Sequence, residues 1–108
     1  MKIHSTLRHQ YIVRFHHFFE DDNAYYLLLE LAHNKSFSEL MKKRKRLTEP
    51  EVQLYMLQIL EALEYMHGIG VIHRDLKLGN LLLDKVRTHL YARPGHRTVC
   101  CGHELTLV

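Results

Sequence analysis

The stretch LTEPEVQLYMLQILEALEYMHGIG, residues 47–70, constrains this chain more than any other. Thr48 is a good N-cap, because its hydroxyl can accept a hydrogen bond from a first-turn backbone N–H. Glu51, three residues on, completes a Thr-x-x-Glu capping box. Pro50 falls in the first turn, where its missing N–H costs nothing. Val52, Tyr55, Met56, Ile59, Leu60, Leu63 and Met66 then recur at spacings of three and four, which predicts an amphipathic helix with one buried stripe. Core packing, not cofactor binding, is the expected role of that stripe. Gly68 and Gly70 end the helix, since glycine enters the left-handed region without steric cost.

Shorter elements flank this helix. Ile12–Phe19 (IVRFHHFF) is rich in β-branched and aromatic residues and reads as a strand. Glu20–Asn23 (EDDN) is turn chemistry. Ala24–Leu31 (AYYLLLEL) is a second strand, and its nearly continuous apolar run predicts burial on both faces. The two strands are expected to form an antiparallel hairpin. A loop, HNKS, leads into a short helix, SFSELMKKR. The basic run Lys42–Arg46 reads as a solvated helix end and loop, or as a patch for nuclear import or an acidic partner. Beyond the long helix, VIHRD reads as a short strand entering a loop and NLLLD (Asn80–Asp84) as a strand leaving it. A hairpin of these two would present the loop side chains from a fixed base. After Asp84 the sequence has no sustained period, and RPGH is a turn signal.

Length and composition bound the function classes. The 108 residues suit one small domain, and 46% apolar with 25% charged residues excludes a disordered chain. A net charge of +3 is too modest to imply direct nucleic-acid binding, although the 10 histidines can add positive charge near pH 6. No run approaches the roughly 18 apolar residues of a membrane span, and the first residues lack the apolar stretch of a signal peptide. The two cysteines, Cys100 and Cys101, are adjacent and offer no disulfide framework, which favours a reducing, intracellular setting.

The chemistry concentrates in HRDLKLGN. Asp75, Lys77 and Asn80 bring a carboxylate, an ammonium and a carboxamide within six residues. Phosphoryl transfer needs these types. A carboxylate orients or accepts the proton of the attacking hydroxyl, a cation neutralises the transferred group, and an amide oxygen helps to hold Mg²⁺, a hard ion that prefers oxygen ligands. Taken as three residue types alone, they serve equally well as turn caps, with His-Arg-Asp as a local salt bridge.

The full string is more specific, because His-Arg-Asp-Leu-x-x-x-Asn matches the catalytic-loop signature of protein kinases. From Met1 to about Lys85, IHSTLRHQYIV, FFEDDNAYYLLLEL, RLTEPE and IHRDLKLGNLLLD together resemble the middle of a protein kinase domain, and most closely the polo-like serine/threonine kinases. The resemblance implies an α+β, partial kinase-like fold: the end of the family's helix C (Met1–Leu7), its fourth and fifth strands, the hinge, helices D and E, and a catalytic-loop hairpin, without most of either lobe. Residues 1–85 would form this partial domain and residues 86–108 a divergent, unstructured tail.

By the same resemblance Asp75 is the catalytic base, Lys77 meets the γ-phosphate and Asn80 binds Mg²⁺. Leu29 falls at the gatekeeper position. Glu30, Leu31 and Ala32 fall on the hinge that pairs with adenine, and Leu82 falls at the apolar floor beneath it, where many polo-like sequences have Phe. His73 would pack beneath the loop and Arg74 would pair with a phosphorylated activation loop. ATP and Mg²⁺ are the implied cofactors, protein serine and threonine the implied substrates, and the nucleus, centrosome and cytoplasm the implied locations. The basic run matches a loop that is also basic in that family.

Several family parts do not occur in these 108 residues. The sequence contains no Gly-rich loop, no lysine of the family's third strand with its helix C glutamate, and no Asp-Phe-Gly or Ala-Pro-Glu after Asp84. Phosphoryl transfer rests on positioning and on electrostatics at the phosphate. Losing one comparable electrostatic group costs roughly 10²–10³ in rate, so the chain taken alone is expected to be inactive. The alternative role is a non-catalytic isoform that binds a partner or competes with a parent kinase, through the long helix's apolar stripe or the basic run. A third reading gives the tail's His89, His96, Cys100, Cys101 and His103 to zinc, although their spacing fits no familiar finger.

Overall fold

The computed structural model describes residues 5–84, 90–92 and 99–100. Ser5 and Thr6 are helical, and Leu7, Ile12 and Val13 are buried. The chain then enters β1 (Phe15–Glu20) and returns in β2 (Tyr25–Leu29) as an antiparallel hairpin, with one irregularity of register between Phe15 and His17. The turn closes through Asp21, whose Oδ1 accepts from the backbone N–H groups of Asn23 and Ala24, both at 2.8 Å. An aspartate that hydrogen-bonds its own backbone in this way fixes a tight turn.

Ser36 caps α1 (Phe37–Arg44), and Thr48 caps α2 (Glu49–Gly68) with the full capping box in place. The end of α2 follows its sequence. Ile69 donates back to the last turn, and Gly70 takes φ +76°, a conformation that favours glycine. There follow β3 (Val71–Ile72), a 3₁₀ turn at Leu78–Asn80, β4 (Leu81–Leu83), β5 (Leu90–Ala92) and β6 (Val99–Cys100). The strands form three two-stranded antiparallel ladders, β1–β2, β3–β6 and β4–β5. The described residues therefore mix helices and strands, as expected of an α+β arrangement.

The core joins both helices to the loop strands. Leu7, Ile12, Phe37, Leu40, Tyr55, Ile59, Ala62, Met66, Val71, Leu81 and Leu83 form one buried cluster. Within it Phe37 and Tyr55 meet edge-to-face at a centroid distance of 5.0 Å and an angle of 83°, a favoured geometry for ring quadrupoles. Each fully buried Leu or Met side chain contributes about 1.5–3 kcal/mol relative to exposure, so this cluster is what seats the segment 71–83 on α2.

Four expectations need correction. First, β2 is not buried on both faces: Leu27 and Leu28 are 54% and 55% exposed, and Leu31 beyond it is 70% exposed. An apolar run signals burial only when layers cover both faces, whereas among the described residues β2 belongs to a two-stranded hairpin with β1. Second, the buried side of α2 is Tyr55, Gln58, Ile59, Ala62 and Met66, while Val52, Met56 and Leu60 of the proposed stripe are exposed and Leu63 is half-buried. The helix carries apolar residues around more than one face, so spacing alone did not select the packed one. Third, β3 and β4 do not pair with each other as a catalytic-loop hairpin; β3 pairs with β6 and β4 with β5. Fourth, the expected unstructured tail contains two strands, Leu90–Ala92 and Val99–Cys100. The rest of residues 85–108 lies outside the described residues, and so does the zinc reading, apart from the backbone of Cys100.

Candidate active site

The loop between β3 and β4 is anchored at both ends by buried side chains. Val71 and His73 enter it at 2% exposure, and Asn80, Leu81 and Leu83 leave it at 1–5%. Between them Arg74, Leu76, Lys77 and Leu78 face solvent. Arg74 adopts φ +60°, uncommon for a residue with a Cβ, and it turns the chain sharply between two buried anchors. His73 holds the far side of this turn, its Nδ1 accepting from the Asp75 N–H at 3.2 Å.

Asp75, Lys77 and Asn80 converge. Asn80 donates through Nδ2 to the Asp75 backbone carbonyl at 2.7 Å and to its carboxylate Oδ2 at 3.0 Å. The second carboxylate oxygen, Oδ1, lies 3.6 Å from Lys77 Nζ. Asp75 is therefore gripped on one side by a buried amide and met on the other by a solvent-facing ammonium, 62% exposed at its side chain. An ion pair so exposed contributes little to stability, typically 0–1 kcal/mol; its consequence here is to set charge beside the carboxylate. The 3₁₀ turn, closed by the Asn80 N–H donating to the Lys77 carbonyl at 2.9 Å, brings Asn80 back under Asp75. Asp and Asn do act locally as turn partners in this loop. They also bring a carboxylate, a cation and a carboxamide to one place, as phosphoryl transfer requires.

The expected nucleotide-binding residues sit at the end of β2 and on β4. Leu29, Glu30 and Ala32 are half-buried and Leu31 is exposed. Glu30 extends the hairpin: its N–H donates to the Arg14 carbonyl at 2.8 Å, and its Oε2 accepts from the Arg14 N–H at 3.2 Å. Leu82 is half-buried and bridges to Ser36 across the loop that follows the hinge stretch. That loop is stitched to β4 by Asn34, which donates to the Leu83 carbonyl at 3.0 Å, and by the Leu83 N–H, which donates to the Lys35 carbonyl at 2.9 Å. The side chain of Asn34 also donates to the Asp84 carbonyl at 2.5 Å. Sequence reasoning passed over Asn34 as part of a bland loop. Its one signal was a side chain able to imitate a backbone partner.

For a Mg²⁺-nucleotide the donor chemistry fits in part. Asn80 turns its amide nitrogen to the Asp75 carboxylate and keeps a hard amide oxygen as its other polar atom, and Mg²⁺ is commonly held by one or two protein oxygens with the phosphates. No cluster of three or more acidic, histidine or cysteine side chains suited to a metal occurs among the described residues. Asn80 is thus the residue of this chain that would donate to the ion, with further ligands required from elsewhere. No helix among the described residues is long and apolar enough to cross a membrane.

Known proteins resemble this chain over most of its length. The profile of the protein kinase domain matches residues 1–91, which carries it past Lys85 into β5. A maize protein named probable serine/threonine-protein kinase CCRP1 is 60% identical over 84 residues, 78% of this chain and 13% of its own length. The yeast cell cycle serine/threonine-protein kinase CDC5/MSD2 is 52% identical over 84 residues, 78% of this chain and 12% of its own. A Dictyostelium discoideum protein, probable serine/threonine-protein kinase PLK, is 48% identical over 90 residues, 83% of this chain and 9% of its own. The chain spans about a tenth of the length of these curated relatives.

Proposed function

Because this chain belongs to the protein kinase domain family and resembles its polo-like serine/threonine members, we propose that residues 71–84 are the catalytic loop of a serine/threonine protein kinase. The observation that carries the reading is the convergence of Lys77 Nζ and Asn80 Nδ2 on the two carboxylate oxygens of Asp75. Asp75 orients the hydroxyl of a protein serine or threonine and receives its proton as the oxygen attacks the γ-phosphorus of ATP. Lys77 swings from the carboxylate to the phosphate, a short move for a solvent-facing ammonium on a flexible stem. Asn80 holds Asp75 in place through Nδ2, and its amide oxygen is the atom that would help to hold Mg²⁺. Bound Mg²⁺ supplies neutralisation of the phosphate charge.

The backbone of Glu30–Ala32 and the side chains of Leu29 and Leu82 line the adenine side of the same site. A role in the cell cycle goes with this reading, supported by the name of the yeast relative, while the nucleus and centrosome rest on the polo-like resemblance alone. The 108 residues taken alone do not turn over, since they lack the phosphate-covering loop and the second metal ligand that the transfer uses.

The test is a chimera in which residues 5–84 replace the matching segment of a complete polo-like kinase domain. It should phosphorylate casein on serine or threonine with radiolabelled ATP. A folded, ATP-binding chimera without transfer would overturn the assignment. A second reading, a non-catalytic interaction module, is favoured by the exposed Val52, Met56 and Leu60 of α2; partner capture by the isolated chain without ATP would support it.

A further inference from the structure

The basic run Lys42–Arg46 has no part in the proposed transfer, yet it leads straight to a hydroxyl. Lys42, Lys43 and Arg44 form the last turn of α1, Lys45 follows at φ +60°, and Arg46 and Leu47 run on to Thr48. Lys42–Arg46 and Thr48 are all exposed, and Thr48 is extended, with φ −74° and ψ 157°. An exposed, non-helical segment with cations two and three residues before a threonine, Arg46 and Lys45, has the form that a basic-directed kinase binds as substrate.

The surroundings of Thr48 supply a reader for the added charge. Its Oγ1 donates to Glu51 Oε2 at 2.9 Å, and the same Glu51 carboxylate takes both Nη atoms of Arg44, Nη2 at 3.1 Å. The Arg44 guanidinium and the Thr48 hydroxyl thus share one carboxylate oxygen. A phosphate on Oγ1 removes the proton donated to Glu51 and sets a near-dianion against that carboxylate. The repulsion expels Glu51, while the phosphate offers Arg44 a stronger bidentate acceptor at the start of a helix.

We propose that Thr48 is a phosphorylation site for a basic-directed serine/threonine kinase, and that its phosphate takes Arg44 from Glu51. In the modifying step the Thr48 Oγ1–phosphorus bond forms as the bond from the γ-phosphorus of ATP to the β,γ-bridging oxygen breaks. ADP leaves, and the hydroxyl proton passes to the base of the modifying kinase. Phosphorylation then exchanges the α1–α2 clamp, Arg44–Glu51, for one that runs from Arg44 to the α2 cap. The inference stands apart from the phosphoryl-transfer reading of Asp75.

The experiment treats the 108-residue chain with ATP and the cyclic-AMP-dependent catalytic subunit as the probe kinase, and maps phosphate by peptide mass spectrometry. Phosphate is expected on Thr48, absent in T48A, with kcat/KM falling at least tenfold in a K45A/R46A variant. Phosphate absent from Thr48, or present there at a rate indifferent to K45A/R46A, overturns the site. The second arm follows the phosphothreonine by ³¹P resonance against pH. Glu49 and Glu51 oppose ionisation in every variant, so the comparison with R44A isolates Arg44. The second ionisation should fall at lower pH in the parent chain than in R44A, and coincident titrations overturn the transfer of Arg44.

Discussion

Asp75 is held by more groups than a solvated loop carboxylate needs. Asn80, 3% exposed, gives it both amide hydrogens, and His73, 2% exposed, takes its backbone N–H. Replacing Asn80 by Ala removes two donors and leaves a largely buried acceptor without its partner. N80A should therefore lower unfolding stability by about 1–3 kcal/mol, read from urea denaturation of the chain. A cost near zero would mean that Asn80 does not hold the carboxylate. At this scale the sequence was legible where a signature fixes spacing: Asp75, Lys77 and Asn80 do converge. It was silent on backbone conformation. Nothing in the letters announces the positive φ of Lys35, Lys45 and Arg74, because none is the glycine that this conformation favours.

The long helix α2 shows what a local signal can and cannot carry. Its start was legible because capping is local chemistry: Thr48, Glu51 and Pro50 act within one turn. The pair that ties it to α1 also sets a pH response. Arg44 first, and then the N–H and hydroxyl of Thr48, hold the Glu51 carboxyl at about 2, down from an ordinary 4.5. A carboxyl depressed in the folded state contributes stability above its unfolded value and loses it as pH falls. The melting temperature should thus decline as pH drops from 4.5 towards 2, and E51Q should flatten that decline. Asp21, also depressed by the N–H groups of Asn23 and Ala24 and by the Tyr26 hydroxyl, keeps part of the slope in E51Q. The packed face was not legible, since Met56, Leu60 and Met66 look alike in sequence and only Met66 is covered. M66A should cost about 2–5 kcal/mol and L60A no more than about 0.5 kcal/mol, both from denaturant midpoints. Equal costs would contradict the observed packing.

Taken whole, the described residues seat the proposed catalytic loop beside exposed apolar faces. Leu27, Leu28 and Leu31 around β2, and Val52, Met56, Leu57 and Leu60 on α2, are exposed at 43–70%. Exposed patches of this kind are the sort that other protein covers, and the relatives, of which the matched segment is only 13% and 9%, have further protein to cover them. The sequence could not show this, because an apolar strand reads alike whether its covering layer is present or not. The pairing of β3 with β6 and of β4 with β5 was equally hidden, since both partners lie beyond the recognisable motif. The 108 residues alone should transfer no phosphate to casein; transfer that disappears in D75N would contradict the division between site and scaffold. The most direct measurement of the central claim is kcat for the chimera carrying residues 5–84, with and without D75N. The account predicts a loss of about 10²–10⁴-fold, the worth of a positioned general base, in a protein that still binds ATP. An unchanged kcat would contradict it and remove Asp75 from the chemistry.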